Sequence, residues 1–249
     1  MKEGFIEVVT GGLGGGKTLL GVERAVDHLA SGGTVYTQVE VYPEKIRAVL
    51  HERGWVFDPE RLVVLPKEVT IQKLADYIKR GSSEQLVMVL WDEASFDVNS
   101  KDRQKLEREF QDLCTLARKL DLWLVLVSQL FNDLDNQIRG RVQRLWICRN
   151  LSKYQFLGLF TVPFLPMFRV CYNVAGFSKP QYSHLEIGNK RSDVMGCYNT
   201  KALLGQHAEK FRNLQVAKGG RLQRVPVVPD KTRKFVYLAA LCSSFFASF

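Results

Sequence analysis

Eight consecutive residues constrain this chain more than any others: Gly11, Gly12, Leu13, Gly14, Gly15, Gly16, Lys17 and Thr18 fit the pattern G-x-x-x-x-G-K-[ST]. The β-rich run Phe5–Thr10 precedes them, and Lys17 to Ala30 follows with helical spacing. Each part of that arrangement has a physical task. Glycines let the backbone wrap closely around an anion and point N–H groups at it, where side chains would clash. The helix after the loop turns its positive N-terminal end toward the same anion. The pattern predicts that residues 11–18 cradle the phosphates of ATP, with Lys17 neutralising β/γ-phosphate charge and the Thr18 hydroxyl offered to Mg²⁺.

A second site element lies downstream. Leu86–Trp91 is a continuous apolar run, as expected of a strand buried on both faces of a parallel sheet, and Asp92-Glu93 follows it directly. A carboxylate at the carboxyl end of such a strand lies on the edge where open α/β sheets bind ligands. Asp92 is therefore placed as the metal-side acid and Glu93 as the base that polarises an attacking water. Ser128-Gln129 ends the next apolar run, Leu122–Val127, which makes Gln129 a catalytic sensor of the γ-phosphate or, more plainly, a strand cap. Arg139, Arg141 and Arg144 suit either an arginine finger toward a neighbouring subunit or a solvated surface. No Asn-Lys-x-Asp motif for guanine is present, which favours ATP over GTP.

Along the chain, strand patterns alternate with helical ones. Strands are predicted at 5–10, 34–38, 61–65, 86–91, 122–127 and 144–149, and helices at 17–30, 44–53, 71–80, 101–119 and 133–142. The fold class is α/β: a P-loop fold whose mostly parallel central sheet is flanked by helices. After Asn150 the alternation stops. Strands at 154–160 and 167–174 predict an antiparallel extension, and 203–214 adds a late helix. The expected organisation is an ATPase domain over 1–200, a basic segment over 201–234 and an apolar segment over 235–249.

Charge and hydropathy bear on partners. Of the formal +9 charge, nine Lys/Arg against two acids fall between Lys201 and Lys234, a run that attracts nucleic acid or an anionic membrane face, or stays a solvated tail. Phe235–Phe249 has fifteen residues without a charge. As a helix it would reach roughly 22 Å, short of the ~30 Å hydrocarbon core, so it suits a short or truncated membrane helix or a docked terminal helix. A basic flank before it would keep the preceding domain in the cytoplasm, beside the inner membrane. Five cysteines without C-x-x-C spacing argue for no zinc site and no disulfide framework.

The succession GGLGGGKT, LVMVLWDEAS, ARKLDLWLVLVSQ and DNQIRGRV resembles the zonula occludens toxin-like family, which includes the assembly ATPase of filamentous bacteriophages. The similarity covers Phe5 to Arg149 and extends to Gly196-Cys-Tyr-Asn-Thr200. It implies an ATP hydrolase that forms a homo-oligomer, with Lys17 and Thr18 on nucleotide and Mg²⁺, Asp92 and Glu93 in the second motif and Gln129 sensing. It further implies a cytoplasmic domain tied to the inner membrane, working with phage assembly or export proteins. Two other functions fit the residues: a soluble DNA-translocating or packaging ATPase gripping DNA through 201–234, and an assembly scaffold that binds nucleotide without appreciable turnover.

Overall fold

In a computed structural model of the protein, described for residues 4–66, 86–92, 119–151, 167–174, 179–188 and 193–199 with a few positions between them, the apolar runs assemble into one large sheet. Its strands are β1 (Phe5–Gly11), β2 (Thr34–Thr37), β3 (Leu62–Val64), β4 (Val87–Trp91), β5 (Leu122–Val127), β6 (Arg144–Asn150), β9 (Met167–Asn173) and β10 (Gln181–Gly188). The order across it is β10-β9-β6-β1-β5-β4-β2-β3. The six strands from β6 to β3 run parallel, and β9 and β10 extend the sheet antiparallel beyond β6.

The order decides where the site falls. Strand β5 lies between β1 and β4 and is parallel to both, so the ends Gly11, Asp92 and Ser128 emerge on one sheet edge. All five residues of β4 are buried, as the absence of polar alternation in its sequence requires. Helix α1 (Lys17–Ala30) packs on one face, and Gly21 sets its closeness: a Cβ there would meet Leu90 Cδ1 at 2.7 Å. Leu19, Val22 and Val26 are buried as well, so α1 is enclosed beyond the stripe that faces the sheet. Helix α2 (Pro43–Glu52) and the segment Asp193–Asn199 join it in the same apolar cluster through Ile46, Val49, Leu50, Val194 and Cys197.

Two expectations are corrected, and one strand lies outside them. The stretch 154–160 is not one strand of the main sheet. Strands β7 (Gln155–Phe156) and β8 (Phe160–Thr161) pair antiparallel with each other in a two-stranded sheet of their own. The helix expected over 133–142 shrinks to α3 (Asn136–Arg139), preceded by a 3₁₀ turn at Phe131–Asp133. Asp135 starts it late by accepting from the Gln137 N–H at 2.7 Å, and Gly140 follows its last residue. Strand β10 went unpredicted because its register shifts between Tyr182 and His184, which breaks the period-two pattern. The helix at 203–214, most of those at 71–80 and 101–119, and the segments 201–234 and 235–249 lie outside the described residues. Among the described residues, no helix is long and apolar enough to cross a membrane.

Candidate functional site

The glycine loop is built by backbone crowding. Gly11 ends β1 at φ +146°, and a Cβ there would lie 2.2 Å from the Cys148 carbonyl oxygen. Gly14 and Gly16 also have positive φ, and Gly16 is the N-cap of α1 in the left-handed region. The Gly15 N–H donates to the Gly12 oxygen at 3.0 Å, closing the loop on itself. Asn150 Nδ2, at the end of β6, donates to the Gly14 oxygen at 3.2 Å. Neither Asn150 nor the Cys148 carbonyl carries a sequence signal, because their contribution arises only from the β1–β6 pairing.

The start of α1 suits an anion. Among the described residues no side chain caps it, and no acid lies in its first turn. Its N-terminal N–H groups and positive dipole end therefore face the loop without a fixed counter-charge from the helix itself. Lys17 folds back over the loop, with Nζ donating to the Gly12 oxygen at 3.1 Å. Leu13, at the tip, is 79% exposed, so the loop opens to solvent.

Thr18 and Asp92 meet. Thr18 Oγ1 donates to Asp92 Oδ2 at 2.6 Å, and Asp92 is buried. The hydroxyl has one proton, now directed at the carboxylate, so its lone pairs remain available to a cation. An all-oxygen donor set of hydroxyl and carboxylate fits Mg²⁺, which keeps several waters and takes the rest of its shell from phosphates. The described residues contain no group of three or more His, Cys, Asp or Glu that could hold a metal. The loop backbone is tightly packed, since a side chain at Gly15 would press on the carbonyls of Gly12 and Cys148, both 2.9 Å from its Cβ.

Gln129 sits where the sequence predicts, at the end of β5. Its carbonyl accepts the Gly11 N–H at 3.2 Å, and its side chain is exposed. Glu93 lies outside the described residues. The arginines are elsewhere. Arg144 opens β6 opposite Glu7, four residues before the Gly11 level, or about 13 Å along the strand. Its guanidinium stacks 4.9 Å from the Phe5 ring centroid. Arg139 is held by Asn132 and Asn136, and Arg141 by the Gln137 oxygen. The structure brings none of the three to this chain's own glycine loop.

Groups without a local sequence signal also border the loop. Met167 opens β9 against the loop, and a Cβ on Gly16 would lie 2.7 Å from its Sδ. Arg169, two residues on and buried, pairs with Glu23 of α1. Cys148 is inert as an acid, its thiol pushed up to about 12 by burial. Burial likewise pushes the Tyr198 phenol up to about 12, with the carboxylates of Asp92 and Glu23 adding to the shift.

A mostly parallel α/β sheet, a glycine loop running into an uncapped helix and an acid at the end of a neighbouring strand define a P-loop fold. The chain belongs to the Zonular occludens toxin (Zot) family, whose model matches residues 5–201. It is 31% identical over 155 residues to the gene 1 protein of Salmonella phage IKe, a match covering 59% of this chain and 41% of that protein. In fold it is similar to the N-terminal domain of zonular occludens toxin from Neisseria meningitidis, with TM-score 0.50, 14% identity, and coverage of 79% of this chain and 100% of that one. A weaker likeness, TM-score 0.47 at 16% identity over 76% of this chain and 98% of the other, is to the genome packaging NTPase B204 of Sulfolobus turreted icosahedral virus 2 in complex with AMPPCP.

Proposed function

We propose that this protein is a P-loop ATPase that binds ATP with Mg²⁺ and acts as a motor in the assembly or export of a filamentous phage, associated with the inner membrane. The observation that carries the nucleotide part is the Thr18–Asp92 hydrogen bond beside an uncapped helix start and a glycine cradle. That combination of anion-binding backbone and hard oxygen ligands suits a metal-bound triphosphate and little else. Zot-family membership supports the phage role. The basic run 201–234 before an apolar segment supports the membrane association.

Within this function backbone N–H groups of the glycine loop and the α1 terminus orient the phosphates, and Lys17 adds a positive charge beside them. Thr18 and Asp92 would hold Mg²⁺, which supplies neutralisation of phosphate charge when bound. Glu93 accepts the proton of the attacking water, and Gln129, on the strand between the loop and the acid pair, orients it. These roles rest on position and residue chemistry.

The test is paired. Purified full chain should hydrolyse ATP only with Mg²⁺, and Lys17→Ala and Glu93→Gln should abolish both hydrolysis and virion output in a complementation assay. Loss of hydrolysis with unchanged virion output in both variants would remove the assembly role and leave the ATPase. If the chain then bound DNA with a steep salt dependence, the basic run would mark a soluble translocase instead.

A further inference from the structure

Strand β10 ends the sheet on the side away from β3, and no other strand among the described residues pairs with its outer edge. Its pairing with β9 sorts its side chains between two faces. His184 lies opposite Cys171 and Glu186 opposite Arg169, on the face that α1 covers, where Glu186 accepts from Arg24 of α1 at 2.7 Å. Leu185 lies opposite Val170 and Ile187 opposite Phe168, on the face away from α1. The register shift between Tyr182 and His184 changes the phase of the strand. It sets Tyr182 opposite Tyr172, on the same face as Leu185 and Ile187, with the two phenol rings 6.3 Å apart.

The edge is therefore apolar on one face and polar on the other. Tyr182 is 64% exposed, Leu185 45% and Ile187 67%. Proteins blunt open edges with lysine, proline, bulges or shortness. Here the bulge protects only the start of the strand, and the regular half, His184–Gly188, has neither lysine nor proline. An open backbone row beside exposed aliphatic side chains is a template for one more strand. Charge indicates which strand it takes. A second β10, laid antiparallel about a two-fold axis through Leu185, sets each His184 opposite the other copy's Glu186 and Leu185 opposite its counterpart. An axis through Glu186 would oppose two carboxylates, and one through His184 two imidazoles. His184 is half-exposed and already lies beside a carboxylate of its own strand, with Nε2 3.7 Å from Glu186 Oε1.

We propose that β10 is a self-association edge, through which two copies of this chain pair antiparallel about Leu185 and join their sheets into one. Each imidazole has an N–H to offer the second copy's Glu186, whether the ring is neutral or protonated. On the other face Leu185 meets its counterpart directly and the second copy's Ile187 diagonally, which removes from water the apolar stripe that a single chain leaves open. The same strand serves both sides of the axis, so the association closes at two copies. Strand β10 is three strands from β1, about 14 Å at the usual strand spacing, and the inference stands apart from the nucleotide site.

The experiment places single cysteines in the full chain carrying Cys242→Ser, in which Cys114, Cys148, Cys171 and Cys197 are buried, and follows disulfide formation under mild oxidation. Leu185→Cys sets two thiols directly opposite each other, whereas Ile187→Cys sets them four residues apart along the paired strands, roughly 13 Å and beyond disulfide reach. Leu185→Cys should therefore link at least about tenfold faster, although Ile187 is the more exposed of the two. Adding His184→Glu opposes carboxylates at both ends of the pairing and should remove most of that rate. Sedimentation velocity of the wild type should show a dimer that grows with concentration in the micromolar range, and His184→Glu should stay monomeric. Equal linking rates for the two cysteines would overturn the proposal. So would a wild-type chain that stays monomeric, since the edge would then take a different strand or none. A dimer that persists in His184→Glu while Leu185→Cys fails to link would put self-association on another surface and overturn it as well.

Discussion

Thr18 Oγ1 donates to Asp92 Oδ2 across 2.6 Å, joining the first turn of α1 to the end of β4 over 74 residues of chain. The bond aligns a hydroxyl and a buried carboxylate before any ligand arrives. Asp92→Asn keeps the shape but removes the charge, and Thr18→Val removes the hydroxyl while nearly preserving volume. Both should lower Mg²⁺-dependent hydrolysis on the order of 10²- to 10³-fold, the scale of losing one preorganised electrostatic contact. Nucleotide binding in EDTA should change much less. Steady-state hydrolysis beside equilibrium binding of the same samples checks this, and hydrolysis unaffected by either change would remove the pair from the site.

The loop glycines divide into those the fold needs and those it tolerates. Gly11 combines φ +146° with a virtual Cβ 2.2 Å from a backbone oxygen, whereas nothing lies within 4 Å of a Cβ on Gly12. Gly11→Ala should destabilise the protein by more than about 1–3 kcal/mol, the usual cost of a residue forced into a sparsely populated backbone region. Gly12→Ala should leave the unfolding midpoint within about 0.5 kcal/mol of the wild type. Urea denaturation of the two variants separates them, and equal midpoints would contradict the loop geometry.

The legible and illegible parts of this chain differ in the range of the interactions involved. Lys17–Ala30 and Leu122–Val127 match their predicted bounds because local pattern alone defines them: a helix running from the loop, and a strand without polar interruption. The acid after β4 was readable for the same reason. Contacts between distant segments left no such trace. Nothing local marks Asn150 as a partner of Gly14, or the Cys148 carbonyl as the reason Gly11 must be glycine. Nor does local pattern mark Tyr198 and Asn199 as partners of Val41 and Glu40 at the exit of β2. Strand β10 was hidden by a one-residue register shift, which erased the alternation that signals a strand.

Glu7 lies in the middle of β1, 1% exposed, with Trp123 Nε1 donating to its Oε2 at 3.3 Å. Burial raises its pKa above the ordinary 4.5, although Arg24, Arg144 and the indoles pull the other way. An acid whose pKa is raised by folding favours the folded state fully below its unfolded value, and loses that contribution as pH climbs through the folded one. Glu7→Gln removes the buried charge and keeps an acceptor for Trp123. It should raise stability relative to the wild type at neutral pH, by a margin that shrinks as pH falls toward 4.5. Denaturation at neutral and acid pH tests this, and a variant less stable at neutral pH would mean that its arginine partners outweigh desolvation.

The ion pair that fastens the segment Asp193–Asn199 gives a pH dependence of the opposite sign. Arg53 bonds Asp193 and holds its carboxyl below the ordinary 3.8, with a contribution from the Val194 N–H, which Asp193 Oδ1 accepts at 3.0 Å. A depressed folded pKa means stability that is fully present above the unfolded value and is lost as pH falls through the folded one. Both partners are partly exposed, 32% for Arg53 and 43% for Asp193, so solvent screens the pair and its worth at neutral pH is at most about 1 kcal/mol. Asp193→Asn should therefore cost no more than that at pH 7, and the difference from the wild type should close below 3.8. The loss should also be local. Amide hydrogen exchange at Tyr42 and Asn199, whose N–H groups join this segment to the exit of β2, should speed up in the variant, while exchange within β4 and β5 stays unchanged. If exchange at Tyr42 and Asn199 were unaffected, Arg53–Asp193 would be a surface pair that does not hold the segment Asp193–Asn199, which its bonds to Glu40, Val41 and Tyr42 would fasten without it.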